Sequence, residues 1–322
     1  MRKKLCLKHV FLLMITLLFA VPTTFGQERI RIGISTKSLG FLPTIVAEKK
    51  GFYHKYDLTS EHIYLSLAIA MNALLNEDLD YAISVGQGVT AAIKGFPVKL
   101  GMMTQDKLVF FLLVKPGIEK VTDLKGKTVG ISYPGSTTHL VVTMILRHFD
   151  LEPGKDVSIL PSGDDQGRLM ALDTGRVEAA IGSPPMDILG AKKGYKVLVW
   201  ARDYIPIPQN AVILSDKKLR QSPGQIKRMF KGTIEALRFI RERKEEAIDI
   251  AADWLKSDRS TTRSMVESYL PAYSVDGTMT DQALRAAIEV ELDRAKIKKE
   301  VSISQVADRT LISEAQKELA LK

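Results

Sequence analysis

From Arg29 onward the chain alternates short apolar runs of strand length with segments whose apolar residues recur at helical spacing, and few folds accept that alternation. Arg29–Ser35 alternates polar and apolar residues and reads as a strand with one buried face. Leu42–Tyr53 reads as a helix with Pro43 in its first turn, ending near Gly51. Strands at Glu61–Leu65, Tyr81–Val85 and Pro97–Met103 alternate with helices at Ala68–Leu75 and Val89–Lys94, and Leu108–Val114 is an apolar run of strand length. Three successive strand–helix units are the pattern of a mostly parallel sheet covered by helices. A second series starts after Pro116-Gly117, with strands near 128–132, 157–160, 178–182 and 196–200 and helices at 136–149, 166–174 and 185–192. Residues 203–210 hold two prolines and read as an extended crossover, followed by a short strand at Ala211–Leu214 and a helical pattern almost to the end. The expected class is α/β: two lobes, two crossing segments near 115–118 and 204–210, and a helical C-terminal tail. Residues 27–116 open the first lobe, 117–206 form the second, and 207–322 return to the first.

The N-terminus is basic (Arg2, Lys3, Lys4, Lys8) and leads into an apolar-rich run from Val10 to Val21, then small residues at Thr24 and Gly26. That is the pattern of an export leader, residues 1–26, cleaved after Gly26. Without those four basic residues the formal charge falls from +9 to +5, spread along the chain in no like-charge block, which gives no case for nucleic acid. The single cysteine, Cys6, lies inside the leader. The mature chain therefore has no disulfide, thiolate nucleophile or cysteine-ligated metal.

Val121–His148 carries the most chemistry. A short strand ends at Ser132, and Tyr133-Pro134-Gly135-Ser136-Thr137-Thr138 opens a helix. Unpaired backbone N–H groups, hydroxyls and the positive end of the helix dipole suit that start to a small anion; its plainer reading is a Ser/Thr-capped connection. Ligands of open α/β sheets sit beyond the C-terminal ends of strands. The loops Ser35–Leu42, Ser84–Gly88, Ser132–His139 and Gly182–Met186 all come directly after expected strands and would converge on one cleft.

Several segments are familiar in order. Ala47-Glu-Lys-Lys-Gly-Phe-Tyr-x-Lys-Tyr-Asp-Leu58, Ala73–Ser84, Gly95–Lys99, Val121–Ser132 and Ala171–Ile181 resemble the periplasmic solute-binding proteins of ABC importers, nitrate/sulfonate/taurine type, whose domain is shared with thiamine-pyrimidine synthases. The resemblance covers about 27–275. It implies a type II periplasmic binding fold, a periplasmic location, a small-molecule ligand bound by hinge closure, an inner-membrane permease as partner, a monomer, and no cofactor, metal or catalytic residue. It also places the ligand between the lobes, at the loops after the first strands and the helix start of the second lobe.

The candidate contacts are therefore Gly135, Ser136, Thr137, Thr138 and His139 at that helix start. Ser84, Gly86 and Gln87 form a turn with one directional amide. Leu39 and Phe41 supply an apolar wall or else pack under the helix, and Ser183, Arg202 and Asn210 are further contacts. Asp164-Asp165 reads as a helix cap rather than a metal site. The expected solute is a small organic anion, a sulfonate, carboxylate or aromatic acid. A sensory binding protein without transport and an enzyme or pyrimidine-precursor binder of the same fold are the alternatives.

Overall fold

The alternation at the start of the chain becomes β1 (Glu28–Ile34), whose Ile30, Ile32 and Ile34 are buried in the computed structural model, which describes residues 27–320. The expected leader lies outside the described residues. β1 is followed by α1 (Leu42–Lys49), β2 (Leu58–Tyr64), α2 (Leu67–Leu75), β3 (Tyr81–Ile83), α3 (Val85–Ile93) and β4 (Val98–Gln105). The second series is β5 (Phe111–Val114), β6 (Thr128–Ile131), α4 (Thr137–His148), β7 (Ser158–Pro161), α5 (Asp165–Asp173), β8 (Ala179–Gly182), α6 (Met186–Ala191) and β9 (Lys196–Trp200). β10 (Asn210–Ser215) returns to the first lobe. The helices α7 (Asp216–Gln221), α8 (Pro223–Glu242), α9 (Lys244–Leu255), α10 (Arg259–Tyr269), α11 (Asp281–Ala295), α12 (Ile303–Val306) and α13 (Thr310–Ala320) complete the described chain.

Two five-stranded sheets result, ordered β2-β1-β3-β10-β4 and β7-β6-β8-β5-β9. The orders are the same pattern used twice, although the sequence shows no repeat. In each sheet four strands run one way and the fourth position holds a reversed strand, β10 in the first and β5 in the second. The sheets are thus mixed, with an antiparallel strand inside rather than at an edge. The reversed strand is in each case the one that has just arrived from the other lobe. This also moves the first crossing: β5 pairs inside the second sheet, so the chain changes lobes between Gln105 and Phe111, ahead of the expected 115–118. Phe111, Leu112, Leu113 and Val114 are all buried because both faces of that sheet are covered, which explains an unbroken apolar run.

The first lobe's core joins its sheet to α8, whose first-turn Pro223 is compatible with a helix start and whose inner face buries Ile226, Met229, Phe230, Ile234 and Leu237. The second lobe has a cluster on each face of its sheet, one under α4 and one under α5 and α6. Among the described residues no helix is long and apolar enough to cross a membrane.

Candidate functional site

A cavity of about 330 Å³ lies where the two lobes and both crossings meet. The first lobe contributes Ser84, Gly86 and Gln87 at the start of α3; the second contributes Tyr133, Thr137 and Leu140. Leu108 and Phe110 come from the first crossing, Ile207 to Asn210 from the second, and Val290, Glu291 and Arg294 from α11. Its size falls within the roughly 300–1,000 Å³ of small-molecule sites, and an apolar wall with a few directed polar groups is their usual make-up.

The first-lobe wall is fixed by capping. Ser84 is the N-cap of α3, its Oγ accepting from the Gln87 N–H at 3.3 Å. The backbone N–H groups of Ser84 and Val85 donate to Ala211 and Gln209 carbonyls, tying the wall to the second crossing. Asn210 is held as well: its Nδ2 donates to the Gly40 carbonyl at 3.2 Å and to Gln105 Oε1 at 2.9 Å. Its Oδ1 remains an acceptor, and the residue is part of the cavity wall. Gln209 Oε1 accepts from the Val109 N–H at 3.1 Å, so one side-chain amide links the two crossings.

The second-lobe wall is a helix start whose hydroxyls are largely occupied with one another. Ser136 caps α4 by accepting from the His139 N–H at 3.2 Å. Its Oγ also pairs with Thr138 Oγ1 at 2.8 Å, and Thr138 Oγ1 accepts from the Ser132 N–H at 2.9 Å. Both side chains are buried. Gly135 adopts φ +80°, open to glycine, and its N–H donates to His139 Nδ1 at 2.9 Å. The backbone N–H groups of Thr137 and Thr138 have no acceptor among the described residues, as befits the first positions of a helix. The cluster Ser132, Ser136, Thr138 and His139 therefore builds the turn, and Thr137 is the member that reaches the cavity.

α11 belongs to the segment read from sequence only as a tail, yet it spans both lobes. Ala286 and Val290 pack on the second lobe's core. Glu291 is buried and accepts from Thr90 Oγ1 of α3 at 2.8 Å. A Cβ at Gly86 would come within 3.0 Å of Glu291 Oε1, so the missing side chain lets α11 approach α3. Arg294 donates from Nη1 to Glu291 at 3.2 Å and from Nη2 and Nε to the Gly135 carbonyl at 2.9 and 3.3 Å. One cation and one carboxylate face this cavity, and they are paired.

Other expected contacts lie elsewhere. Leu39 and Phe41 are buried in the first lobe's core, the Leu39 carbonyl accepting from the Tyr273 hydroxyl at 2.6 Å, so they pack beneath the sheet end and form no part of this cavity wall. Ser183 Oγ donates to Asp165 Oδ2 at 2.9 Å. Asp164 caps α5 through the Gly167 N–H at 2.9 Å, and no group of three metal-ligating side chains occurs among the described residues. Arg202 stacks its guanidinium 3.7 Å from the centre of the Trp200 ring and donates to the Ser268 carbonyl at 3.2 Å. It lines a separate cavity of about 400 Å³ behind the crossings, with Asp106 and Lys107. Burial pushes the Asp106 carboxyl above its ordinary range, against the opposing pull of Lys107 and Arg241.

Residues 38–247 match the family model described as NMT1/THI5 like. The chain belongs to the NMT1/THI5-like family. A Bacillus subtilis relative, provisionally named an aliphatic sulfonates-binding protein, is 23% identical over 302 residues, covering 90% of this chain and 89% of its own. The crystal structure of the periplasmic aliphatic sulphonate binding protein from Escherichia coli superposes with a TM-score of 0.74 at 18% identity, over 88% of this chain and 92% of that one. The desulfurization enzyme DSZB does so with a TM-score of 0.69 at 13% identity, over 91% and 99%. The two-lobe periplasmic binding fold is thus common to binders and an enzyme in this family's surroundings, and the site has to separate them.

Of the sequence-derived candidates, the structure brings Ser84, Gly86, Gln87, Thr137 and Asn210 to one cavity. Sequence reasoning missed Tyr133, Leu140, the crossing residues and the Glu291–Arg294 pair. The last had a local signal, a carboxylate and a guanidinium three residues apart on one helix, but such pairs are common on solvated helices and only the fold brings this one to a cleft.

Proposed function

We propose that this protein is the periplasmic solute-binding component of an ABC importer, a monomer that captures a small organic anion between its lobes and presents it to a membrane permease. The carrying observation is the composition of the cavity: each lobe, both crossings and α11 all supply wall. A solute seated there touches every part that moves when two lobes rotate about two crossings. Its contacts are then more numerous in the closed state, and differential affinity is what drives closure. Donors for an anion are the Thr137 hydroxyl and N–H, the Gln87 amide and Arg294. Leu108, Phe110, Leu140 and Ile207 give an apolar wall for the organic part.

Gly135, Ser136, Thr138 and His139 serve this reading by holding the turn, and Asn210 is part of the cavity wall. The one carboxylate that lines the cavity, Glu291, is engaged by Thr90 and Arg294, which favours binding over acid–base catalysis. The test is a thermal-shift and calorimetric screen of residues 27–322 against alkanesulfonates, taurine, nitrate, aromatic acids and pyrimidines. An anion should raise the melting temperature of the parent protein, and Thr137→Ala should weaken its binding several-fold. A neutral pyrimidine as the sole ligand, or turnover of a bound sulfinate, would overturn the reading.

A further inference from the structure

α10 and α11 stand on the first lobe, yet each also holds the second lobe, at a different place. α10 buries Val266 and Tyr269 in the first lobe's core. Its Ser268 Oγ donates to Asp187 Oδ2, in the first turn of α6, at 3.0 Å. The Ser268 carbonyl accepts from Arg202 Nη1 at 3.2 Å. Both partners ride on the second lobe: α6 packs against that sheet through Met186, and Arg202 is stacked on Trp200. The other oxygen of Asp187 is buried without a partner among the described residues, so the Ser268 hydroxyl is what compensates this carboxylate. α11 is fixed to the first lobe by the Thr90–Glu291 bond, and its Arg294 donates to the Gly135 carbonyl of the second at 2.9 and 3.3 Å. Arg294 lines the cavity, whereas Ser268 and Asp187 do not. Neither fastening lies on a crossing, so a rotation of the lobes about the crossings has to break both or pull α10 and α11 off the first lobe's core.

We propose that α10 and α11 form a two-point clasp across the lobes, Ser268 on Asp187 and Arg294 on Gly135, whose strength sets the balance of open and closed forms and through it the affinity for solute. This rests on the reading that the lobes close over a solute in the cavity. Bonds made only when the lobes are together favour the closed form whatever the solute, which then supplies only the remaining differential affinity. The apparent Kd of a solute that binds the closed form is its intrinsic Kd divided by the closed fraction. A residue that touches no solute therefore helps to set affinity. The Arg294 side chain is 40% exposed and Ser268 is half-buried, so each fastening is worth an ordinary net hydrogen bond, roughly fivefold in the open-to-closed ratio. The two fastenings share no partner, so their effects should multiply.

Residues 27–322 contain no cysteine, so spin labels can be placed at Lys94→Cys and Arg147→Cys. These exposed positions lie at the far ends of α3 and α4, helices that start on opposite walls of the cavity. The distance between the labels is read by double electron–electron resonance in the parent, Ser268→Ala, Arg294→Ala and the double variant. Each is measured alone and with ethanesulfonate, nitrate or benzoate as probe. The ratio of long to short distances should rise about fivefold in each single variant and about 25-fold in the double. Ser268→Ala, which alters no residue of the cavity wall, should raise the Kd of a binding probe by the factor by which the short-distance fraction falls. Arg294→Lys keeps the charge and should restore part of the shift, which guards against a folding defect in Arg294→Ala. Distances equal to the parent's in Ser268→Ala and Arg294→Lys overturn the clasp. A weaker Kd in Arg294→Ala with no change of distance also overturns it and leaves Arg294 a solute contact. The predicted shifts of distance with no probe bound by any variant support the clasp and overturn the cavity as the site of a small anion.

Discussion

The hydrogen bond from Thr90 to Glu291 ties α11 to the first-lobe wall of the cleft, and it can be removed almost without changing shape. Thr90→Val keeps the volume and deletes the hydroxyl that donates to the buried carboxylate at 2.8 Å. Glu291 retains only Arg294, whose guanidinium is 40% exposed while the carboxylate is 8% exposed. Hydrogen bonds to a charged group contribute about 1.5–3 kcal/mol, and Thr90 is only half-buried, so a loss of about 1–2 kcal/mol is expected. Glu291→Ala removes the acceptor and completes a double-mutant cycle with Thr90→Val. The assay is urea unfolding of the two single variants and the double variant, with the coupling taken from the cycle. Coupling of about 1 kcal/mol is expected. Additive effects within about 0.3 kcal/mol, or a Thr90→Val midpoint equal to the parent's, would refute the view that this bond fastens α11.

Asp106→Asn should stabilise the protein at neutral pH. Burial raises the Asp106 carboxyl, so its ionised form is a penalty that is present above the folded-state pKa and disappears as pH falls below the unfolded value. The advantage of the variant, followed by thermal melts from pH 7 to pH 3, should therefore shrink with acidification; an advantage constant with pH contradicts the assignment. Ser136→Ala, by contrast with Thr137→Ala, should cost about 1 kcal/mol of stability as a lost N-cap, read in the same melts, and an unchanged melting temperature would show that Thr138 holds the turn alone.

Elements with strong periodicity were legible in the sequence. The β1 alternation, the Pro43 helix start and the strand–turn–helix at 128–148 all stand where the pattern places them, within a residue or two at their ends. Sheet direction was not legible, because Phe111–Val114 reads the same whether its neighbours run with it or against it. Two of the four loops expected to converge do so, which is why Ser84, Gln87 and Thr137 meet, while the loops carrying Leu39 and Ser183 supply no wall to that cavity. Leu39 and Phe41 illustrate the limit: an apolar residue in a loop has the same sequence signature whether it faces a ligand or the core. Ser136 and Thr138 illustrate another, since a hydroxyl at a helix start is a donor to whichever acceptor is nearest, and here the nearest are one another. The Glu291–Arg294 pair, with Arg294 lying 159 residues from the Gly135 it touches, belongs to tertiary structure alone.

Under the proposed hinge closure, Leu108, Phe110, Ile207 and Pro208 are at once the segments on which the lobes would turn and part of the wall on which a solute would rest. Seat and axle are made of the same residues. A substitution that reshapes the floor to admit a different solute also resets the ease of opening, and a substitution that stiffens the axle also reshapes the floor. Selectivity and release rate are then inherited together. The walls at Gln87 and Thr137, which ride on the lobes rather than on the axle, are the positions where specificity can drift without altering the motion.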